Sequence, residues 1–303
     1  MDMPFHPGEL EIQERAGVRE QVADFGGRAI RTFMPDQHRE FFALLPWLLV
    51  GSVDADGQPQ ASVLWGTPGF AHSPERDLLR VDALAEADDP LRANLRDGAQ
   101  LGLLGLELPT RRRNRLNGVV EGMDAGGFGI RARQSFGNCP KYIQSRHWRF
   151  NPRTAGPSTS GTGADVRWLE LATRSDTLFI ASRYAGENGG VDISHRGGPP
   201  GFLQLADGQL WLPDYSGNNL FNTLGNLMLE PRCALLFIDF ARGDLLHLEA
   251  IARIHWPRDE TPIWSTGAQR MLSLQPGIWQ LRRSRLPLEF SQLQYSPFLP
   301  SMN

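Results

Sequence analysis

Two stretches of the chain, Gln60-Ala-Ser-Val-Leu-Trp-Gly-Thr-Pro-Gly-Phe70 and Asp192-Ile-Ser-His-Arg-Gly-Gly-Pro-Pro-Gly-Phe202, share the frame Ser-x-x-x-Gly-x-Pro-Gly-Phe at a spacing of 132 residues. Working outward at the same offset, positions 57–116 match 189–248 without a gap. Thirteen of the 60 positions are identical, where average composition gives roughly four. The identities include turn residues (Gly57/Gly189, Asp82/Asp214), helix residues (Asn94/Asn226, Leu95/Leu227) and apolar strand positions (Leu103/Leu235, Leu104/Leu236). A match at fixed period marks one structural unit used twice.

Each copy reads as β-rich. Short apolar runs, Trp47–Val53 and Leu178–Arg183, lead into turn signals at Asp54–Gly57 and Gly186–Gly190. Further strands, Gln60–Leu64, Leu78–Val81, Leu101–Leu108 and Asn117–Met123, have counterparts in the second copy. A helical segment falls between the third and fourth strands, Pro90–Arg96 in one copy and Asn219–Leu229 in the other. Six strands with one helix predict a small closed barrel. The expected fold is mainly β with short helices (α+β), arranged as two tandem barrels. The expected divisions are a helical arm (1–40), a first barrel (41–150), a linker (151–163), a second barrel (164–256), and a helix near Gly267–Leu274 followed by an extended tail (257–303).

Composition narrows the function. The 303 residues carry 31 Lys+Arg against 34 Asp+Glu, a net charge of −3, which lacks the basic surplus of a nucleic-acid binder. At 41% hydrophobic the chain can bury a core. Its longest apolar runs are far shorter than the ~20 residues that span a bilayer. Two cysteines exclude a disulfide scaffold and a four-cysteine zinc site. The seven histidines show no metal-ligand spacing, and no Gly-x-Gly-x-x-Gly or Walker loop is present. Residues 1–16 carry Asp2, Glu9, Glu11 and Glu14 and no apolar core, so a cytoplasmic protein is expected.

The second copy reads Asp192 to Phe202, then Leu212-Pro-Asp-Tyr-Ser-Gly-Asn-Asn219 and Asn226; the first ends with Leu103–Gly118 and Gln134-Ser-Phe-Gly-Asn-Cys-Pro-Lys-Tyr-Ile-Gln144. These segments resemble the pyridoxamine 5′-phosphate oxidase-related family, the FMN-binding split β-barrels, in a tandem subgroup of its flavin-nucleotide-binding branch. The resemblance runs from Phe5 to Trp256. It implies two split barrels paired as an intramolecular pseudo-dimer, or a homodimer pairing copies between chains. It also implies FMN at the barrel–barrel interface, and an oxidoreductase that takes a small-molecule substrate and an external electron donor. Two other functions fit the same pattern: a non-catalytic binder of an anionic ligand, and a haem-handling protein with His195 or His247 as axial ligand.

The candidate cofactor residues fall in two groups. In the second copy, Arg196 offers a guanidinium fork, and Ser194 shares its strand face. Ser216, Asn218 and Asn219 form a turn opening a helix, which reads either as an anion site or as an ordinary surface turn with an N-cap. Tyr215 and Leu220 stand where the branch places further basic residues, and Leu64 and Trp65 of the first copy replace Arg196 and Gly197, so one complete site at most is expected. In the first copy Arg111, Arg113 and Asn114 follow an apolar strand, with Arg111 and Arg113 read as sharing a face; they form an anion clamp or cover a strand edge. Ser135, Asn138 and Lys141, the chain's single lysine, crowd one turn around Cys139. That cysteine reads as a thiol activated by Lys141 or as a small turn residue. Tyr142 or Phe136 would stack on a flat ring. No catalytic residue and no metal ligand is assigned.

Overall fold

The computed structural model describes residues 4–300; residues 1–3 of the arm and 301–303 of the tail lie outside the described residues. The chain opens with three helices, α1 (Pro7–Arg15), α2 (Arg19–Ala29) and α3 (Asp36–Ala43). Pro7 takes the first helical position of α1, where no N–H is needed, and His6 and Glu9 close a capping box across it. Next come β1 (Trp47–Val53), β2 (Pro59–Trp65), β3 (Ala71–Glu75), β4 (Leu78–Val81), α4 (Pro90–Asn94), β5 (Gln100–Glu107), β6 (Arg112–Glu121) and β7 (Phe128–Asn138). They build one antiparallel sheet in the order β2-β1-β5-β6-β7-β4-β3.

After β8 (Ser145–Phe150), β9 (Ser158–Thr162) and α5 (Val166–Arg174) the pattern recurs. β10 (Thr177–Tyr184), β11 (Gly190–Gly197), β12 (Gln204–Ala206), β13 (Gln209–Asp214), α6 (Asn222–Leu229), β14 (Arg232–Ile238), β15 (Leu245–His255) and β16 (Arg270–Arg282) form a second sheet in the order β11-β10-β14-β15-β16-β13-β12. The two orders are the same strand for strand. A last strand, β17 (Leu288–Gln294), pairs with β8.

Four expectations change. Each repeated order holds seven strands, because short strands β3 and β12 form after the Gly-Phe turn, so the helix falls between the fourth and fifth. Neither sheet closes into a ring. The stretch near 267–274 is strand rather than helix: β16 carries Leu272 and Leu274 into the core, and its Pro276 sits at a β-bulge opposite Ala250. The second sheet therefore runs to Arg282, well past residue 256. Residues 151–163 are also not wholly linker, since β9 adds to the edge of β16.

Alternation along the central strands explains how the sheets meet. Leu48 and Val50 of β1 and Leu101 and Leu103 of β5 enter the first sheet's own core. Leu178 and Ile180 of β10 and Leu235 and Phe237 of β14 enter the second's. The intervening residues, Trp47, Leu49, Leu104, Leu106, Phe179, Ala181, Ala234 and Leu236, form a third core between the sheets. Strands buried on both faces read as continuous apolar runs. Close approach of the sheets relies on Gly102 of β5, where a Cβ would lie 2.7 Å from the Val191 carbonyl oxygen. Gly102→Ala is expected to lower the unfolding free energy by about 1–3 kcal/mol by overpacking this junction, read as a drop in the urea midpoint.

Candidate functional site

On the edge of the junction, residues of both sheets converge. Ser194, His195 and Arg196 come from β11; Tyr215, Gly217, Asn218 and Asn219 from the loop after β13; Asn222, Thr223 and Leu224 from the start of α6. Arg113 and Arg115 come from β6 of the first sheet, Asn138 from the end of β7, and Lys141 and Tyr142 from the turn that follows. They enclose two adjoining cavities of about 90 and 60 Å³ that share Arg113, His195, Arg196, Tyr215 and Gly217.

The charge of this cradle is one-sided. Four cationic side chains, Arg113, Arg115, Lys141 and Arg196, line it against one carboxylate, Asp214. Asp214 is shared: it accepts from Arg196 Nη1 at 2.5 Å and from Arg270 Nε at 2.8 Å. Arg115 is ion-paired to buried Asp192 and donates to Asn222 Oδ1 at 3.0 Å, the Ile193 carbonyl at 2.9 Å and Ser194 Oγ at 2.5 Å. Arg113 has no carboxylate partner among the described residues. Its Nε donates to the Cys139 carbonyl at 2.6 Å, and its Nη1 lies 3.4 Å from His195 Nδ1. Loss of hydration brings its pKa down to about 10, with Arg115 and Arg196 adding like-charge repulsion and Cys139 opposing them. His195, buried beside these guanidiniums, is held neutral well below the usual imidazole range by burial first and by Arg113 and Arg196 second.

Several donors here end without a partner. Arg196 Nε, Arg115 Nε and Asn138 Nδ2 are buried and make no hydrogen bond among the described residues. Helix α6 begins at Asn222 rather than at Asn219 and has no side-chain cap, and its first residues, Asn222, Thr223 and Leu224, line the cradle. Asn219 and Phe221 hold left-handed φ of 61° and 62° to shape the approach. Buried unsatisfied donors, a helix N-terminus and surplus guanidinium charge together describe a receptor for an anion.

Of the residues expected from sequence, Ser194, Arg196, Asn218, Asn219, Arg113, Asn138 and Lys141 line the cradle. Four do not. Arg111 sits in the turn before β6 at φ 59° and donates to the Ile143 and Gln294 carbonyls. Because β6 starts at Arg112, the shared face is that of Arg113 and Arg115, so Arg115 takes the place read for Arg111. Asn114 lies on the opposite face, Ser135 is buried against His38 Nδ1 at 3.0 Å, and half-buried Ser216 lines neither cavity. Phe136 is sealed in a cluster with Phe5, Val22 and Leu220, while Tyr142 packs on Tyr215 with ring centroids 5.2 Å apart. The tail holds this turn in place: Ser296 Oγ accepts from the Tyr142 amide at 3.2 Å, and the Ser296 amide donates to Gln144 Oε1 at 2.8 Å.

The repeat offers an internal control. At the 132-residue offset, Arg196, Arg113 and Arg115 correspond to Leu64, Leu245 and His247, and Asn218 and Phe221 correspond to Glu86 and Asp89. In strand register Asn138, opposite Arg113, corresponds to Arg282, opposite Leu245. The counterpart has thus exchanged three arginines for apolar or neutral groups and gained carboxylates. Fully buried Arg282 binds Asp89 at 2.5 Å, Glu86 at 2.5 Å and Asp88 at 2.7 Å, and Arg285 adds a contact to Asp88 at 2.8 Å. Burial alone would raise the Asp88 pKa, but hydrogen bonds from Arg282 and Ser158 hold it down to about 2. The counterpart position thus carries three carboxylates around Arg282, where the cradle is lined by one, Asp214.

No family model and no curated protein matches the sequence. Among solved structures, the chain is similar to a protein of the pyridoxinephosphate oxidase family from Clostridium acetobutylicum, at 17% identity and TM-score 0.28, over 43% of this chain and 96% of that one. A FAD-binding protein from Mesorhizobium loti is similar at 10% identity and TM-score 0.29, over 43% of this chain and 100% of that one. An inhibitor of motility from Bacillus subtilis is similar at 11% identity and TM-score 0.24, over 76% and 87% of the two chains. Scores this low carry no functional argument, and the chemistry rests on the cradle.

The two arginine environments predict opposite stabilities. Arg282→Met strands the buried carboxylate of Asp89 and is expected to cost about 3–5 kcal/mol. Arg113→Met removes a desolvated charge that has no carboxylate partner, so ligand-free protein is expected to lose less than about 1 kcal/mol or to gain stability. Urea denaturation of both variants checks the contrast.

Proposed function

We propose that the chain is an FMN-binding flavoprotein, an oxidoreductase built as an intramolecular pseudo-dimer of split barrels, with the flavin phosphate on the cradle between the sheets. The observation that carries this reading is the set of cationic side chains around unsatisfied buried donors: Arg115 and Arg196 are paired with Asp192 and Asp214, while Arg113 and Lys141 have no carboxylate partner among the described residues. The residues fit a phosphate: Arg113 and Arg196 offer guanidinium donors, Asn138 and the first-turn amides of α6 offer neutral ones, and Lys141 adds a point charge at the rim. The 90 and 60 Å³ spaces suit that group and leave the ring system outside, since whole organic ligands fill about 300–1,000 Å³. Bound flavin supplies hydride and electron-transfer chemistry. This chain's part is to hold it, exclude a second anion from the counterpart position and leave substrate and electron donor to arrive from outside; the cytoplasm is the compartment this reading assigns.

The small volume favours a second reading, a non-catalytic binder of a small anion. Haem handling has no such support: His195 and His247 are buried against Arg113 and the Ala61 carbonyl, and neither lines the 490 Å³ cavity beside the N-terminal arm, which is roomy enough for a whole organic ligand.

Titration of the purified chain with FMN, followed by flavin absorbance and calorimetry, is expected to saturate at one FMN per chain. Arg113→Met and Arg196→Met should each weaken binding about 10–100-fold, the worth of a charge-assisted hydrogen bond. Binding of inorganic phosphate that depends on Arg113, without flavin uptake, selects the second reading. Affinity for both ligands that ignores Arg113 and Arg196 overturns the cradle.

A further inference from the structure

A larger cavity, about 490 Å³, lies elsewhere: between the N-terminal arm, the first sheet, the β10–β11 hairpin and α6. We infer that it is a second ligand site, for a small organic anion bearing hydroxyl or amide groups. Three observations carry this. First, its size is within the range of sites for whole small molecules, unlike the cradle.

Second, its cations are free. Arg31 and Arg133 line the cavity from its exposed side, and their guanidinium groups form no hydrogen bond or ion pair among the described residues. The lining carboxylates do not offset them: Asp192 is ion-paired to Arg115, and Glu9 accepts from the His6 amide at 3.0 Å and from Asn222 Nδ2 at 2.6 Å. Burial raises the Glu9 pKa to about 8, so it is mostly uncharged at neutral pH.

Third, the inner wall is rich in carboxamides, from Asn117, Gln134, Asn222 and Asn226, and holds polar atoms with no partner. His6 is 3% exposed, and its Nε2 makes no hydrogen bond, with Glu9 Oε2 at 3.7 Å; Asn117 Oδ1 is buried and has no hydrogen bond among the described residues. Neutral donors and acceptors inside and guanidiniums outside match a polyhydroxylated or amidated molecule with a carboxylate or phosphate at one end. None of Arg113, Lys141 or Arg196 lines this cavity, so the site is independent of the flavin reading. Asn222 borders both: it accepts from Arg115 on the cradle side and donates to Glu9 on this side.

Calorimetry with D-gluconate and with ribose 5-phosphate tests the site and separates a carboxylate ligand from a phosphate one. At least one is expected to bind wild-type protein and Arg113→Met alike, and to lose affinity by about tenfold or more in Arg31→Ala/Arg133→Ala. Both arginines are exposed, so these variants should keep the wild-type far-ultraviolet circular dichroism. No binding of either probe at millimolar concentration overturns the proposal, as does binding that depends on Arg113 and ignores Arg31 and Arg133. Loss of FMN affinity in the Arg31→Ala/Arg133→Ala protein, with FMN displacing the probe, would assign the cavity to the flavin and also overturn it. Failure of FMN to bind leaves the probe result unaffected.

Discussion

Everything in this molecule depends on strands that are apolar on both faces. β1, β5, β10 and β14 send alternate side chains into their own sheet's core and into the core between sheets. With ~25 cal/mol gained per Å² of apolar surface removed from water, neither sheet can leave its outer face exposed. The second sheet is therefore as much part of the first sheet's core as its own helices are. That constraint fixes the distance between the sheets, requires glycine at Gly102, and sets β11 against β5 and β6, which is why Arg115 of one half can bind Asp192 of the other.

The same connectivity used twice gives two equivalent positions on the junction, and electrostatics has driven them apart. Around Arg282 the charges are matched within the chain, and the cluster serves stability. Around Arg113 they are not: its half-buried guanidinium has no carboxylate partner among the described residues. A buried cation without a carboxylate is costly unless something else supplies the negative charge. Loss of Arg196, Arg113 and Arg115 at the first-copy position and gain of Glu86, Asp88 and Asp89 are two parts of one change.

Much of this was legible in the sequence. The 132-residue repeat predicted two β-rich units of like order, and motif resemblance together with turn chemistry pointed at Ser194, Arg196, Asn218, Asn219 and Lys141. Errors arose where local signals compete. Residues 267–274 carry no strong strand pattern of their own; pairing with β13 and β15 makes strand from Arg270 onward. Reading Arg111 with Arg113 assumed that the strand already held Arg111; that residue lies in the turn at φ 59°, outside the alternation that keeps Arg113 and Arg115 on one face. Arg115 was visible as a residue, but its burial on Asp192, 77 positions away, was not. The 490 Å³ cavity left no sequence signal, because it is lined by short stretches of the arm, the first sheet, the β10–β11 hairpin and α6 that lie far apart along the chain.

By itself the sequence determined that the chain would form two similar antiparallel units, since periodic apolar residues and turn glycines act locally and recur at a fixed offset. It also determined that the two copies would differ, because arginines present in one are leucines or a histidine in the other. Only the tertiary structure decided which charges meet. Arg113, Arg115, Arg196 and Asn138 are separated by up to 83 residues and come together because two sheets share one core. A charge is satisfied or free according to what lies within a few ångströms of it, and that distance is set by packing.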